Sequence, residues 1–312
     1  MNQIRIANAP CSWGTLEFEG MKGERVPYGR MLDEMSAAGY VGTELGDWGY
    51  LPTDPAALRA ELARRGLNMV GALVPVALRH EGAHEAGEAE ALRVARMLAA
   101  VAGDTAGQQR PCIVLADDNG SDPARTLHAG RVTPGIGLSN DEWKVFARGA
   151  ESIARAIWAE SALPVVFHHH CAGYVETPAE IARFLEMTDP DLVGLAFDTG
   201  HYLYGCGAAR GGSALEGLEL FGDRIRHVHF KDCHPAIAGR ARSEGWDYFE
   251  AVRRGLFCEL GRGNVDFPGV TAWLRSRAWS GWIVVEQDVL PGMGAPAESA
   301  MRNREYLRSI GL

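Results

Sequence analysis

In Leu192-Val193-Gly194-Leu195-Ala196-Phe197-Asp198-Thr199-Gly200-His201, a short apolar run ends abruptly on an acidic residue. Such a run, rich in Leu, Val and Phe, reads as a buried β-strand. Three further segments repeat the design: Pro164-Val165-Val166-Phe167-His168-His169-His170, Ile225-Arg226-His227-Val228-His229-Phe230-Lys231-Asp232 and Gly281-Trp282-Ile283-Val284-Val285-Glu286-Gln287-Asp288. Four strand tips so far apart in sequence converge only if the strands are parallel neighbours. In a β/α barrel they meet at the C-terminal face, where barrel enzymes carry their chemistry. His168, Asp198, His229 and Glu286 together offer two imidazoles and two carboxylates, a donor set suited to a divalent transition metal.

Strand and helix alternate outward from these segments. Strands are predicted at residues 4–9, 40–45, 68–74, 111–116, 164–170, 192–198, 225–230 and 282–286, the third halted by Pro75. Helices are predicted at residues 28–38 and 54–65, ending at Gly39 and Gly66, which suit the left-handed cap. Others are expected at residues 88–102, at 140–159 with Asn140-Asp141 as its cap, from Thr177 with Pro178 in its first turn, and at 297–309. Residues 119–139 are expected to form a long loop over the barrel mouth, and 232–262 an insertion of mixed character. Eight strands alternating with helices make one (β/α)8 TIM barrel over residues 1–312 the expected architecture. A doubly wound sheet would carry a glycine-rich phosphate loop after its first strand, and Ala9-Pro10-Cys11-Ser12-Trp13-Gly14 lacks that spacing.

Bulk properties exclude several partners. A net charge of -9 argues against nucleic acid, since phosphate binding wants a basic surface. No apolar run approaches the ~20 residues needed to span a bilayer, and the first residues show no secretion signal. Six cysteines (Cys11, Cys112, Cys171, Cys206, Cys233, Cys258) lie scattered without CxxC spacing, so reduced thiols in a cytoplasmic protein are expected.

Five segments together resemble the xylose-isomerase-like barrel superfamily of sugar isomerases, epimerases and dehydratases. They are Gly39-Tyr40-Val41-Gly42-Thr43-Glu44, the triplet His168-His169-His170, Phe197-Asp198-Thr199-Gly200-His201, His227-Val228-His229-Phe230-Lys231-Asp232, and the stretch from Arg254-Gly255-Leu256-Phe257 to Gly263-Asn264-Val265-Asp266-Phe267. The likeness covers most of the chain from residue 28 onward and is greatest to the inosose dehydratase family. It implies metal ligation by His168, Asp198, His229 and Glu286. His168 stands where the epimerases have a glutamate, and the dehydratases resemble this chain in having His there. The loop Cys11-Ser12-Trp13-Gly14-Thr15-Leu16-Glu17 departs from the polar loop of that family, which leaves the substrate open. The resemblance thus implies a metal-dependent lyase removing water from 2-keto-myo-inositol or a related keto-polyol, with keto-sugar isomerase or epimerase as the alternative. It also implies a homo-oligomer. Mn²⁺ or Co²⁺ is favoured over Mg²⁺ because imidazoles are among the donors, and Zn²⁺ is a further candidate.

Individual residues carry competing expectations. Asp198 is either a ligand or a helix-capping Asp, and Glu286 a ligand or a rim ion-pair partner. Strand alternation is taken to send His227 and His229 to opposite sides, His229 to the mouth and His227 to packing or a structural hydrogen bond. By the same rule His168 and His170 share a side and His169 faces the helices. His170 is a candidate proton carrier or substrate contact, and imidazoles titrate near working pH. Lys231 is an acid–base or oxyanion-stabilising candidate, or else a rim salt bridge. His201, three residues after Asp198, is placed to reach the metal or a substrate hydroxyl. Glu44 is either a substrate-binding group or a hydrogen-bond partner of a neighbouring strand tip, and Trp13 a packing residue or a sugar platform. Asp117 and Asp118 are read as loop-capping groups.

Overall fold

The computed structural model describes residues 4–14, 26–103, 110–207, 213–290 and 292–312. Its centre is a closed barrel of eight parallel strands. In chain order these are β1 (Ile4–Asn8), β2 (Gly42–Glu44), β3 (Asn68–Val76), β4 (Cys112–Asp117), β5 (Val165–His168), β6 (Val193–Asp198) and β7 (Ile225–Phe230). A two-stranded antiparallel hairpin, β8 (Asp232–Cys233) with β9 (Phe257–Cys258), precedes the eighth barrel strand, β10 (Gly281–Val285). The barrel closes in the order β1-β10-β7-β6-β5-β4-β3-β2. The strands are apolar on both faces because helices cover the outside and side chains fill the inside.

Alternation along each strand sorts these two environments. Phe167 faces outward from β5 and packs with Phe146 and Phe184, from helices Asn140–Ser161 and Pro178–Met187, at ring separations of 5.9 and 4.1 Å. Val114, Val166 and Ala196 face inward and fill the barrel beside Cys112, while Ala7, Val70, Trp282 and Val284 do so on the other side. His168, Asp198 and Glu286 continue the inward set two residues beyond Val166, Ala196 and Val284, so the strands deliver them to the mouth. Register levels them: Ala196 pairs with His168, Asp198 with His229, and His229 with Val284.

Three local expectations are corrected, and the mixed insertion after the seventh strand is resolved into its parts. β3 runs through Pro75 to Val76, with Pro75 level with Ala116. Gly71 turns its carbonyl to β2, accepting from Leu45, and Pro75 four residues on faces the same way. β2 has already ended there, so no ladder bond is lost to the missing N–H. Helix Asn140–Ser161 is capped by Ser139, which with Glu142 forms a capping box, rather than by Asn140-Asp141. The stretch 119–139 carries a short helix, Pro123–Leu127, capped by Asp122. The insertion after β7 is the β8–β9 hairpin with helices Pro235–Glu244 and Tyr248–Arg253. Thr177 and Pro178 start their helix as predicted, and Gly39 takes a left-handed φ of 92° after Ala38. Among the described residues no helix is long and apolar enough to cross a membrane.

Candidate active site

A cavity of about 480 Å³ opens at the C-terminal ends of the strands. At its floor one donor atom from each of His168, Asp198, His229 and Glu286 lies within 4.8 Å of the others. His229 Nδ1 is 3.3 Å from Glu286 Oε1 and 4.0 Å from Asp198 Oδ2. Asp198 ends β6 and caps helix Thr199–Gly205: its Oδ1 accepts the His201 backbone N–H at 2.8 Å, which leaves Oδ2 for the cluster. Thr199 ties the tips of β6 and β7 together by donating its hydroxyl to the Lys231 carbonyl at 2.7 Å.

The donor set fits a divalent cation. His168 Nδ1, Asp198 Oδ2 and His229 Nδ1 are buried without a hydrogen-bond partner. Each such atom costs roughly 1–3 kcal/mol unless something satisfies it, and a cation would satisfy donors of this kind together. The protonation tendencies agree with a site short of positive charge. Burial raises the Asp198 carboxyl to about 7 despite Lys231 nearby. Burial lowers His229, but Glu286 and Glu44 outweigh it and lift the imidazole to about 9. His168 faces no such offset, and burial followed by the neighbouring His229 pulls it well below its ordinary value.

Beside the cluster sits a second group of polar side chains. Lys231 Nζ is buried 3.1 Å from Glu286 Oε2 and 3.4 Å from both Asp288 Oδ1 and His201 Nε2. Burial disfavours its charge, but Asp288 and Glu286 more than compensate and hold it above the ordinary lysine value. His170 directs Nδ1 to the Cys171 carbonyl at 2.5 Å, and its Nε2 lies 3.4 Å from the Tyr248 hydroxyl. Burial, with Lys231 behind it, lowers its imidazole to about 3, which keeps it uncharged. The opposite wall sets the hydrocarbon of Leu45, Leu73, Val74, Pro75 and Val94 beside the carboxylates of Asp47 and Glu90.

The structure brings most of the predicted residues together, with three changes. His227 and His229 do not diverge: residues two apart on a strand share a face, and both Nε2 atoms donate to Glu44 Oε1, at 2.9 and 3.1 Å. The structural hydrogen bond foreseen for His227 is this one. Glu44 is correspondingly the partner of a neighbouring strand tip and also lines the cavity, with burial opposing and the two imidazoles enforcing a carboxyl well below its usual range. Trp13 is no sugar platform. It lies 2% exposed in the main core and donates Nε1–H to Glu34 at 2.8 Å, because the 3-10 turn Pro10–Trp13 rotates it away from Pro10 and Cys11, which line the cavity. His201 lies outside the cavity lining, its ring 3.8 Å from that of His170, and one of its ring nitrogens lies within 4.8 Å of donor atoms of His168 and His170, a further group able to hold a metal ion. His169 faces outward as expected and accepts the Asp198 backbone N–H at 3.1 Å. Asp117 accepts the Tyr174 backbone N–H at 3.0 Å, a loop-holding bond. Thr15, Leu16 and Glu17 lie outside the described residues.

Asp288 and Tyr248 line the site without having been singled out. Asp288 could have been found, since it stands two residues after Glu286 and alternation continued past the strand end gives it the same side. Tyr248 sits in the insertion, where no periodicity points to the barrel.

Residues 32–310 match the family described as xylose isomerase-like TIM barrel, and the chain belongs to that family. Among curated proteins it is similar to the inosose dehydratase of Geobacillus kaustophilus (strain HTA426), 32% identical over 98% of this chain and 94% of the relative. The inosose dehydratases of Lacticaseibacillus casei and Klebsiella pneumoniae (strain 342) are each 30% identical, over 97% and 98% of this chain and 96% and 97% of theirs. Of solved structures, a probable 3-DHS dehydratase from Bacillus anthracis superposes with a TM-score of 0.68 at 12% identity, over 97% of this chain and 98% of that one. The 3-keto-D-glucoside 4-epimerase of E. coli does so with a TM-score of 0.65 at 17% identity, over 98% and 100%. Those two likenesses concern the fold.

Proposed function

We propose that the chain is a metal-dependent carbon–oxygen lyase that removes water from 2-keto-myo-inositol or a closely related cyclic keto-polyol. The match to inosose dehydratases along nearly the whole of both chains carries this reading, and the four-donor cluster supports it. Water loss beside a ketone needs an acidified C–H, a base for its proton and an acid for the departing hydroxyl. A divalent ion held by His168, Asp198, His229 and Glu286 would supply the first by drawing electron density from the carbonyl. The mixed donors favour Mn²⁺ or Co²⁺ over Mg²⁺, which prefers oxygen alone.

His170 is the base. With Nδ1 turned to the Cys171 carbonyl, Nε2 carries the lone pair, and the Tyr248 hydroxyl that faces it at 3.4 Å gives way to the substrate C–H. Lys231 is the acid, its ammonium kept charged and aimed by Asp288 and Glu286. The proton passes from carbon to His170 Nε2, the β C–O bond breaks, and the departing hydroxyl takes a proton from Lys231 Nζ. Water leaves, and a C=C bond conjugated with the carbonyl remains. His201 braces both groups from behind. The small-molecule cavity and net charge of -9 support a free polyol as substrate over nucleic acid. We place the reaction in the cytoplasm, on a homo-oligomer.

Mass spectrometry of Mn²⁺-loaded protein incubated with 2-keto-myo-inositol tests this. The expected product is lighter by one water and disappears on chelation. An unchanged mass with a new chromatographic isomer would replace the lyase by an epimerase or isomerase.

A further inference from the structure

The Glu44–His227–His229 contact adjoins the ligand cluster and shares His229 with it. Glu44 ends β2 and reaches the barrel axis, where it is 4% exposed. The register places it opposite Gly71, and this glycine leaves the space it occupies: a Cβ there would come within 3.4 Å of Glu44 Oε1 and 3.2 Å of the Cys112 carbonyl. A carboxylate oxygen only accepts, so both imidazole Nε2 atoms it meets carry hydrogen. In the neutral form that binds a metal, His229 then keeps its lone pair on Nδ1, the atom that faces Glu286 and Asp198 and has no hydrogen-bond partner. His227 holds the same Glu44 oxygen at 2.9 Å, so the carboxylate is fixed from a second side.

We propose that Glu44 and His227 are positioning residues for the metal centre: Glu44 sets the tautomer and tilt of His229 so that Nδ1 faces the other ligands, and His227 anchors Glu44. A carboxylate behind a ligating imidazole raises its basicity and fixes its ring, and losing one costs about 10- to 100-fold in metal affinity. The inference rests on the ligand set of the proposed function and on no step of the reaction.

The test is Mn²⁺ affinity of the full chain, stripped and re-titrated against a chelating fluorophore, with the visible absorption of the Co²⁺ form as a second readout. Glu44→Gln, close to isosteric, keeps an acceptor but no charge, whereas Glu44→Ala removes both. Expected is a roughly 10- to 100-fold weaker Kd for Glu44→Ala and a smaller loss for Glu44→Gln, each with a shifted Co²⁺ band and unchanged far-ultraviolet circular dichroism. His227→Leu should follow in the same direction, and His227→Gln, which keeps an N–H donor for Glu44, should restore most of the affinity. Kd values within twofold of the unsubstituted chain for Glu44→Gln and His227→Leu, with the Co²⁺ band unmoved, overturn the proposal. An unsubstituted chain that binds Mn²⁺ tightly yet leaves 2-keto-myo-inositol intact would remove the reaction assigned above and leave this inference standing.

Discussion

Lys231 and His229 share one carboxylate: Glu286 gives Oε2 to Lys231 Nζ at 3.1 Å and Oε1 to His229 Nδ1 at 3.3 Å. The acid–base group and the ligand cluster are therefore joined through a single side chain, with Asp288 as the second counter-charge of the lysine. Replacing Lys231 by Met should lower kcat by about 10²- to 10⁴-fold, the usual worth of a positioned proton donor. It should leave Mn²⁺ affinity equal or higher, because Glu286 is freed. Steady-state turnover and metal titration on one preparation check this; a kcat within tenfold of the unsubstituted chain would take Lys231 out of the chemistry.

Asp198 divides its two oxygens between structure and site, which makes a clean separation possible. In Asp198→Asn the side-chain carbonyl still accepts the His201 N–H, while the ligand charge is gone. The variant should keep its circular dichroism and lose metal at least tenfold. Bound metal measured by elemental analysis decides; stoichiometric retention after dialysis would mean that Asp198 is only a cap.

Stability should fall with rising pH across the titration of Asp117. Burial, the largest cause, raises its carboxyl to about 6 from an ordinary 3.8. The folded state thus holds the proton more tightly than the unfolded chain, so unfolding free energy declines between about pH 4 and pH 6 and is level above. The contribution is on the order of 2–3 kcal/mol. Urea midpoints at pH 4.5 and 7.5 should differ less for Asp117→Asn than for the unsubstituted chain, and parallel slopes would refute the assignment.

Trp13→Phe should act on stability alone. The substitution removes the 2.8 Å bond to Glu34 and part of a buried ring, worth about 1–2 kcal/mol. KM should stay within twofold. A rise in KM of tenfold or more with unchanged stability would return the indole to the substrate.

Much of the fold and of the site is legible in the sequence. Apolar runs that stop on His168, Asp198, His229 or Glu286 announce buried parallel strands with polar tips, and alternation then assigns each side chain to the inside or the outside. The same alternation puts His227 on the face of His229, two residues apart, and both meet Glu44. Trp13 was illegible for a different reason: a 3-10 turn carries no two-residue alternation, so nothing in Pro10-Cys11-Ser12-Trp13 says which side chain faces the mouth. Pro75 depended on where a different strand, β2, ends. Tyr248 depended on an insertion folding back over the barrel, a tertiary event with no local signature.

The early end of β2 leaves the barrel wall low on one side. β3 continues past it to Val76, and Leu73, Val74 and Pro75 floor that notch with hydrocarbon, while the tall wall opposite carries His168, His170, Lys231 and Glu286. A ring that enters thus meets imidazoles, an ammonium and a carboxylate on one side, and on the other hydrocarbon edged by Asp47 and Glu90. Variation along the low wall can re-tune which polyol fits without disturbing a single group that moves a proton, so the scaffold can change its diet while keeping its chemistry.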